Sequence, residues 1–141
     1  MYSFDHKIRV RYGETDTMGV VYHGNYPLYY EEARTEMLRA AGLPYAELEQ
    51  QGVMMPVRDM SISYLHPAYY DDLLTVRVML AQPPTVRVAF AYKIFNQHGL
   101  LINEASVTLV FVNAQTRKLC RAPKIMLDLM EQHFGGANAD T

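Results

Sequence analysis

The spacing of apolar positions changes once along the chain, and this change predicts an α+β fold. Across residues 25–41, apolar side chains recur at the three- and four-residue intervals of one buried helical stripe, made of Tyr26, Tyr30, Ala33, Met37 and Leu38 (or Ala41). After Gly52 the period falls to two, which is typical of strands with one buried face. Hairpin-length links join these strands, so we expect an antiparallel sheet whose inner face is covered by the long helix.

The alternating segments place the predicted strands at residues 53–65, 74–80, 85–95 and 105–112, with a short run reaching Cys120. A β-like run over residues 8–12 precedes the long helix, and a short second helix is expected over residues 44–51. Pro123 opens a terminal helix that reaches about Phe134. The tail from about residue 135 should fray, since chain ends of this kind are seldom held.

The ends of the long helix carry the expected boundary signals. Asn25, or a residue just before it, can cap the N-terminus, and Pro27 is tolerated in the first turn. Gly42 suits the position after the last turn, and Pro44 prevents continuation.

The face of the predicted sheet that points away from the helix is not strongly polar, because it carries Met79, Ala89, Ala91, Phe95, Val110 and Val112. Large exposed apolar patches are rare in monomers. We therefore expect a homo-oligomer, with a second copy of the chain against this face.

Composition adds bounds on the class of protein. The 141 residues are half hydrophobic and one fifth charged, which suits a single globular domain over residues 1–141. A net charge of −2 gives no electrostatic footprint for nucleic acid. We expect a cytoplasmic protein, because Cys120 is alone and the N-terminal segment is charged. We expect no membrane span, because no window of about 18 apolar residues is present.

The most informative segment for function runs from the first strand to the long helix. It places Asp16 and, seven residues later, His23 beside a helix N-terminus. The free N–H groups there favour negative charge, including the oxyanion formed when a carbonyl is attacked. The alternative is structural: Asp16 can serve only to shape a turn, and His23 can be an ordinary loop residue.

Other chemistries find less support in the sequence. No Gly-x-Ser-x-Gly segment is present, and Cys120 has no histidine near it. The five histidines are scattered without the spacing of metal ligands, so we expect neither a metal nor a separate cofactor.

The segment from Arg11 to Tyr26, followed by residues 30–38, resembles the hotdog-fold acyl-CoA thioesterases. Within them it is most similar to the 4-hydroxybenzoyl-CoA thioesterase branch that includes the Tol-Pal-associated bacterial enzymes. Residues 62–68 and 71–76 resemble the next strand, turn and strand of that branch. The resemblance implies a long helix wrapped by a curved antiparallel sheet, paired into dimers and often into tetramers.

The resemblance also implies roles for individual residues. Asp16 matches the catalytic carboxylate, His23 matches the loop histidine whose backbone N–H polarises the thioester carbonyl, and Tyr12 matches a tyrosine that lines the site. Candidate substrate-binding residues are Tyr22, Asn25, Tyr64 and Pro67, with part of the pocket, near residues 64–67, expected from a neighbouring subunit. Candidates for holding the coenzyme A phosphates, each with a surface-charge alternative, are Arg58, Arg87, Lys93 and Lys118.

Two functions therefore compete. The first is metal-free hydrolysis of an acyl-CoA or acyl-carrier-protein thioester, in which Asp16 attacks the carbonyl or activates water. The second is a non-catalytic hotdog module that binds acyl thioesters or acyl-carrier protein as a scaffold. The presence of Asp16 together with His23 favours the enzyme.

Overall fold

The computed structural model describes the backbone of residues 1–139 and the side chains of residues 1–134. In that part of the chain, three α-helices and seven strands follow one another as β1 (Tyr2–Arg9), α1 (Tyr26–Ala40), α2 (Tyr45–Gln50), β2 (Val53–Met54), β3 (Val57–Tyr64), β4 (Leu73–Leu80), β5 (Arg87–Phe95), β6 (Leu101–Asn113), β7 (Leu119–Cys120) and α3 (Lys124–Ala139). Short 3-10 turns at Tyr12–Glu14 and His23–Asn25 lie between β1 and α1. The predicted α+β class is confirmed.

The sheet is antiparallel throughout the described residues, in the order β1-β4-β5-β6. Strand β6 pairs with β3 along one stretch and with β2 and β7 near its end. The predicted alternation holds on β4 and β5, whose buried side chains include Leu74, Val76, Val78, Val88, Phe90, Tyr92 and Ile94.

Helix α1 packs against β1 and β4 and buries the predicted stripe. Tyr30, Ala33 and Met37 are fully buried, and Tyr29 joins them as a residue that the stripe did not include. Tyr30 also donates its hydroxyl to Oδ1 of Asn103, a buried polar residue of β6. The long helix therefore lies on one face of the sheet as expected.

The first strand begins and ends earlier in the chain than the predicted run over residues 8–12, and it is longer. It spans Tyr2–Arg9, because Tyr2 pairs with Leu80 and the ladder continues to Arg9 opposite Leu73. Tyr12 then begins a 3-10 turn instead of ending a strand. Buried or half-buried side chains alternate with exposed ones along this strand, at Tyr2, Phe4, His6 and Ile8. The period-two pattern of a strand was therefore present in the sequence.

Other boundaries also differ from the sequence prediction. The segment predicted as one strand over residues 53–65 divides into β2 and β3 at Met55 and Pro56, since proline cannot donate to a ladder. Val86 precedes β5 and is exposed, and β6 is longer at both ends than predicted.

Helix α3 continues to Ala139, beyond the predicted end near Phe134. The fraying expected from residue 135 remains a prediction for residues 135–139. For residues 140–141 it lies outside the described residues. No helix in the described part is both long and apolar enough to cross a membrane.

Candidate active site

The loop between β1 and α1 is closed by backbone hydrogen bonds. The N–H of Asp16 donates to the carbonyl of Val20 at 2.9 Å, and Thr15 and Val21 form an antiparallel bridge. The N–H of Val21 donates to the carbonyl of Ala68 at 2.8 Å. These bonds hold the loop against the segment that follows β3, and so fix where Asp16 lies.

Asp16 is half-buried and directly follows the Thr15–Val21 bridge of this loop. Its Oδ1 accepts the N–H of Met18 at 2.9 Å, and its carbonyl accepts the N–H of Gly19 at the same distance. Gly19 adopts a φ of 78°, a left-handed conformation that favours glycine. Among the described residues Oδ2 of Asp16 has no hydrogen-bond partner, so one oxygen shapes the turn and the other is available for chemistry.

His23 begins the 3-10 turn that runs directly into α1. The first N–H groups of such a start have no intrahelical partner and carry partial positive charge. The hydroxyl of Tyr64 donates to the carbonyl of His23 at 3.1 Å, and the two rings meet edge-on with centroids 6.3 Å apart. Strand β3 thereby holds the turn in place.

Asp16 and His23 line one cleft of about 300 Å³, within the range of ligand pockets. Apart from His66, the remaining wall is apolar or aromatic and consists of Met18, Val20, Val21, Tyr26, Tyr64, Leu65 and Pro67. Burial raises the pKa of Tyr26 to about 12, helped by Tyr64 and opposed by a hydrogen bond with the Ala68 backbone. The phenol is therefore uncharged at neutral pH. The cleft joins an acid and an imidazole to an apolar wall.

The structure brings four of the predicted site residues together and leaves three elsewhere. Asp16, His23, Tyr64 and Pro67 line the cleft, whereas Tyr12, Tyr22 and Asn25 do not. Tyr12 is 78% exposed and packs edge-on against Tyr70, with centroids 5.7 Å apart.

Tyr22 lies beside the cleft with its ring 4.4 Å from that of His23. The predicted cap at Asn25 makes no capping bond; its Nδ2 donates instead to the carbonyl of Glu14 at 2.8 Å. The backbone of Asn25 is already helical, so its side chain cannot take the usual capping direction. The substrate-binding roles of Tyr22 and Asn25 stay predictions.

Several cleft residues had no functional signal in the sequence. Tyr26 belongs to the helical stripe, which is interpreted more simply as core, and Leu65 and His66 follow the end of β3. We expected the segment over residues 64–67 to complete a site on a neighbouring subunit. Within one chain this segment already lies across the cleft from Asp16, because the loop is bonded to Ala68.

A second cavity, of about 400 Å³, lies between α1 and strands β3 and β6. It is lined by Glu31, Arg34, Thr35, Leu38, Tyr45, Met55, Val57 and Leu109, and no residue of the Asp16 loop reaches it. Among the described residues, no three histidine, cysteine or acidic side chains are grouped as metal ligands would be. Asp16 and His23 line the cleft at the start of α1 and not this second cavity.

The candidate phosphate-binding cations are exposed and lie apart in the sheet. Arg58 is in β3, Arg87 and Lys93 lie towards opposite ends of β5, and Lys118 precedes β7. The Nε of Arg58 is 4.0 Å from a carboxylate oxygen of Asp59. Their assignment to coenzyme A stays a prediction.

An antiparallel sheet around one long helix, with a carboxylate in the loop before that helix, defines a hotdog thioesterase architecture. The model of the thioesterase-like superfamily matches residues 10–130. The chain belongs to this superfamily, and the predicted resemblance is confirmed.

Individual relatives agree with this placement. The acyl-CoA thioester hydrolase YbgC of Escherichia coli is 36% identical over 125 residues, covering 89% of this chain and 93% of the relative. The acyl-CoA thioesterase YbgC of Haemophilus influenzae is 32% identical over 122 residues, covering 86% and 89%. The crystal structure of the DHNA-CoA thioesterase of Staphylococcus aureus superposes with a TM-score of 0.91 at 30% identity, covering 100% of this chain and 97% of that one.

Proposed function

We propose that the protein hydrolyses acyl-CoA thioesters to free acids and coenzyme A in the cleft lined by Asp16 and His23. The observation that carries this proposal is the convergence of a carboxylate and a helix N-terminus on one cleft with largely apolar walls. Relatives named as acyl-CoA thioester hydrolases, each matched over most of its length, support the same activity. The protein is thus an enzyme, a thioester hydrolase.

The reaction adds the oxygen of water to the thioester carbonyl carbon and breaks the C–S bond. The sulfur leaves with a proton as the thiol of coenzyme A, and the acyl group leaves as a carboxylic acid. Negative charge develops on the carbonyl oxygen and needs hydrogen-bond donors fixed in advance. In this proposal the backbone N–H of His23 supplies one, because it lies at the start of the turn that leads into α1.

Asp16 takes one of two roles in this scheme. It removes a proton from the attacking water, or it attacks the carbonyl itself and gives a mixed anhydride that water then hydrolyses. Both roles use the carboxylate oxygen that the turn leaves unpaired. The imidazole of His23 orients the substrate or assists proton transfer.

The surrounding residues are assigned to binding. Tyr64 and Pro67 line the cleft with other apolar side chains and suit a small or medium acyl group. Tyr22 and Asn25 border the turn, and Tyr12 packs against Tyr70 outside the cleft. In this proposal these three residues contact the substrate away from the reacting carbonyl.

The enzyme is proposed to work in the cytoplasm as a homodimer or homotetramer, with acyl-carrier protein as a second carrier of substrate. The single cysteine fits a reducing compartment. On the outer face of the sheet Ala89 and Ala91 are exposed and Met79 is half-buried, which leaves an apolar surface for another copy of the chain.

The test is thiol release from a panel of aliphatic and aromatic acyl-CoAs, measured with the wild type and with Asp16→Asn. The substitution keeps the size of the side chain and the Oδ1 acceptor used in the turn. We expect at least one substrate to be hydrolysed, and the rate to fall by at least about 10²-fold in the variant, as when a catalytic group is lost. Wild-type enzyme treated with EDTA should keep its full rate, since Asp16 and His23 carry the reaction.

Three outcomes contradict the proposal. Full activity in a correctly folded Asp16→Asn protein removes the assigned role of the carboxylate. Loss of activity on chelation, recovered by adding a metal, removes the metal-free scheme. Tight binding of acyl-CoAs without any thiol release identifies the chain as a binding module.

A further inference from the structure

Glu14 lies two residues before Asp16 and uses both its side chain and its backbone to join separate parts of the site. Its Oε1 accepts the backbone N–H of Arg11 at 2.8 Å and the hydroxyl of Tyr29 at 3.0 Å. The first bond closes the turn at the start of the loop, and the second reaches into helix α1. One carboxylate oxygen therefore ties the loop to the helix.

The backbone carbonyl of Glu14 makes two further bonds on the other side of the loop. It accepts the N–H of Tyr22 at 3.0 Å and the Nδ2 of Asn25 at 2.8 Å. These donors flank His23, so the carbonyl fixes the position of the turn that begins α1. The residue thus lies between the segment that carries the acid and the segment that carries the proposed oxyanion donor.

Tyr29, the partner of Glu14 in helix α1, is buried. Tyr29 is 3% exposed, and burial, followed by its hydrogen bond to Glu14, raises its pKa well above the usual range. The phenol therefore keeps its proton and donates a hydrogen bond to the carboxylate of Glu14. Hydrogen bonds to a charged acceptor are among the stronger ones in proteins, and a buried hydroxyl without a partner is costly.

We propose that the side chain of Glu14 is a positioning group for hydrolysis. Its bonds to Arg11 and Tyr29 hold the backbone carbonyl of Glu14 where it binds Tyr22 and Asn25, and so set the separation between the Asp16 carboxylate and the His23 turn. Glu14 does not line the cleft and takes no part in the chemistry itself. This inference rests on the proposed catalytic role of Asp16. A displacement of about 1 Å at a reacting group costs on the order of 10²-fold in rate.

The test compares steady-state kinetics of four variants. Glu14→Ala should lower kcat by roughly 10- to 100-fold, while KM changes by less than about threefold, because geometry and not substrate contact is lost. Glu14→Gln should recover most of the rate, since its amide oxygen accepts the same two hydrogen bonds. Tyr29→Phe should lower kcat less than Glu14→Ala, because the bond from Arg11 remains. The double variant Glu14→Ala/Tyr29→Phe should be no slower than Glu14→Ala, as expected for residues acting through one contact.

The matched control is Glu32→Ala, which removes a carboxylate in the middle of α1 that contacts His6 and not the loop. Its kcat should equal that of the wild type. Circular dichroism below the melting temperature of each variant confirms that folded protein is assayed.

Other results overturn the inference. Unchanged kcat in Glu14→Ala, or a loss confined to KM, removes the positioning role. If Glu14→Ala does not fold, the other two single variants decide. A folded Glu14→Gln protein that is as slow as Asp16→Asn contradicts the positioning role, and so does a Tyr29→Phe protein with wild-type kcat. Retained activity in Asp16→Asn contradicts the proposed function instead, whatever the Glu14 variants do.

Discussion

At the scale of single residues, the site is made of side chains that each do two things. Asp16 shapes its own turn with one oxygen, and the other has no partner within the described part of the chain. Tyr64 lines the cleft and also holds the carbonyl of His23 through its hydroxyl. The structural and the functional interpretation of such a residue are therefore compatible, and a substitution has to separate them.

Replacing Tyr64 with phenylalanine keeps the aromatic wall of the cleft and removes only the 3.1 Å bond to His23. The free carbonyl then lets the turn move, so we expect kcat to fall by about tenfold, the equivalent of one ordinary hydrogen bond. The measurement is steady-state thiol release with the best acyl-CoA. Tyr70→Phe, which removes an exposed hydroxyl outside the cleft, is the control and should leave kcat unchanged. Equal rates in Tyr64→Phe and wild type would show that the hydroxyl has no role.

At the scale of elements, residues 15–21 of the loop between β1 and α1 form a small hairpin, in which Thr15 and Val21 are bridged and Gly19 is left-handed. The helix after it takes its N-terminal turn from the same backbone network. The site therefore depends on local backbone geometry as much as on packing.

The glycines of this loop give a matched comparison. Gly19→Ala introduces a Cβ at a φ of 78° and should destabilise the protein by about 1–2 kcal/mol, while shifting Asp16 and lowering the rate. Gly13→Ala should be neutral, because its Cβ meets no atom within 4 Å and its φ is not positive. Urea unfolding and thiol release on both variants check the difference. A Gly19→Ala protein as stable and active as Gly13→Ala would contradict this account of the loop.

At the scale of the whole molecule, the two faces of the sheet have different roles. One face is covered by α1, and the other presents exposed alanines and half-buried apolar residues without any covering element in the described chain. A second copy of the chain is the proposed cover for this outer face.

Ala91→Glu places a charge at the centre of the outer face, opposite Met79 in the pairing of β4 and β5. Burying that charge between subunits is costly, so we expect a shift towards smaller species in light scattering, together with lower activity. Ala46→Glu makes the same substitution at an exposed position of α2 and should change neither property. A wild-type protein that is monomeric and fully active at assay concentration would defeat the proposal.

The sequence by itself determined the fold class, the buried stripe of α1, the inner faces of β4 and β5, and the position of Asp16 and His23 before the start of α1. These features are local, because hydrophobic periodicity and turn chemistry act over a few residues. The resemblance of residues 11–26 to the thioesterases added the family, which the comparisons confirmed.

The tertiary structure alone decided which residues meet. Sequence spacing carries no signal for the bond from Tyr64 to His23, which joins residues 41 positions apart, or for the contacts of Glu14 with Tyr29 and Asn25. The tertiary structure also places Tyr12 and Asn25 outside the cleft, although both lie close to Asp16 or His23 in sequence. The start of β1 depended on the pairing of Tyr2 with Leu80 in β4, nearly eighty residues later in the chain. Long-range pairing and side-chain direction, rather than local preference, fixed these details.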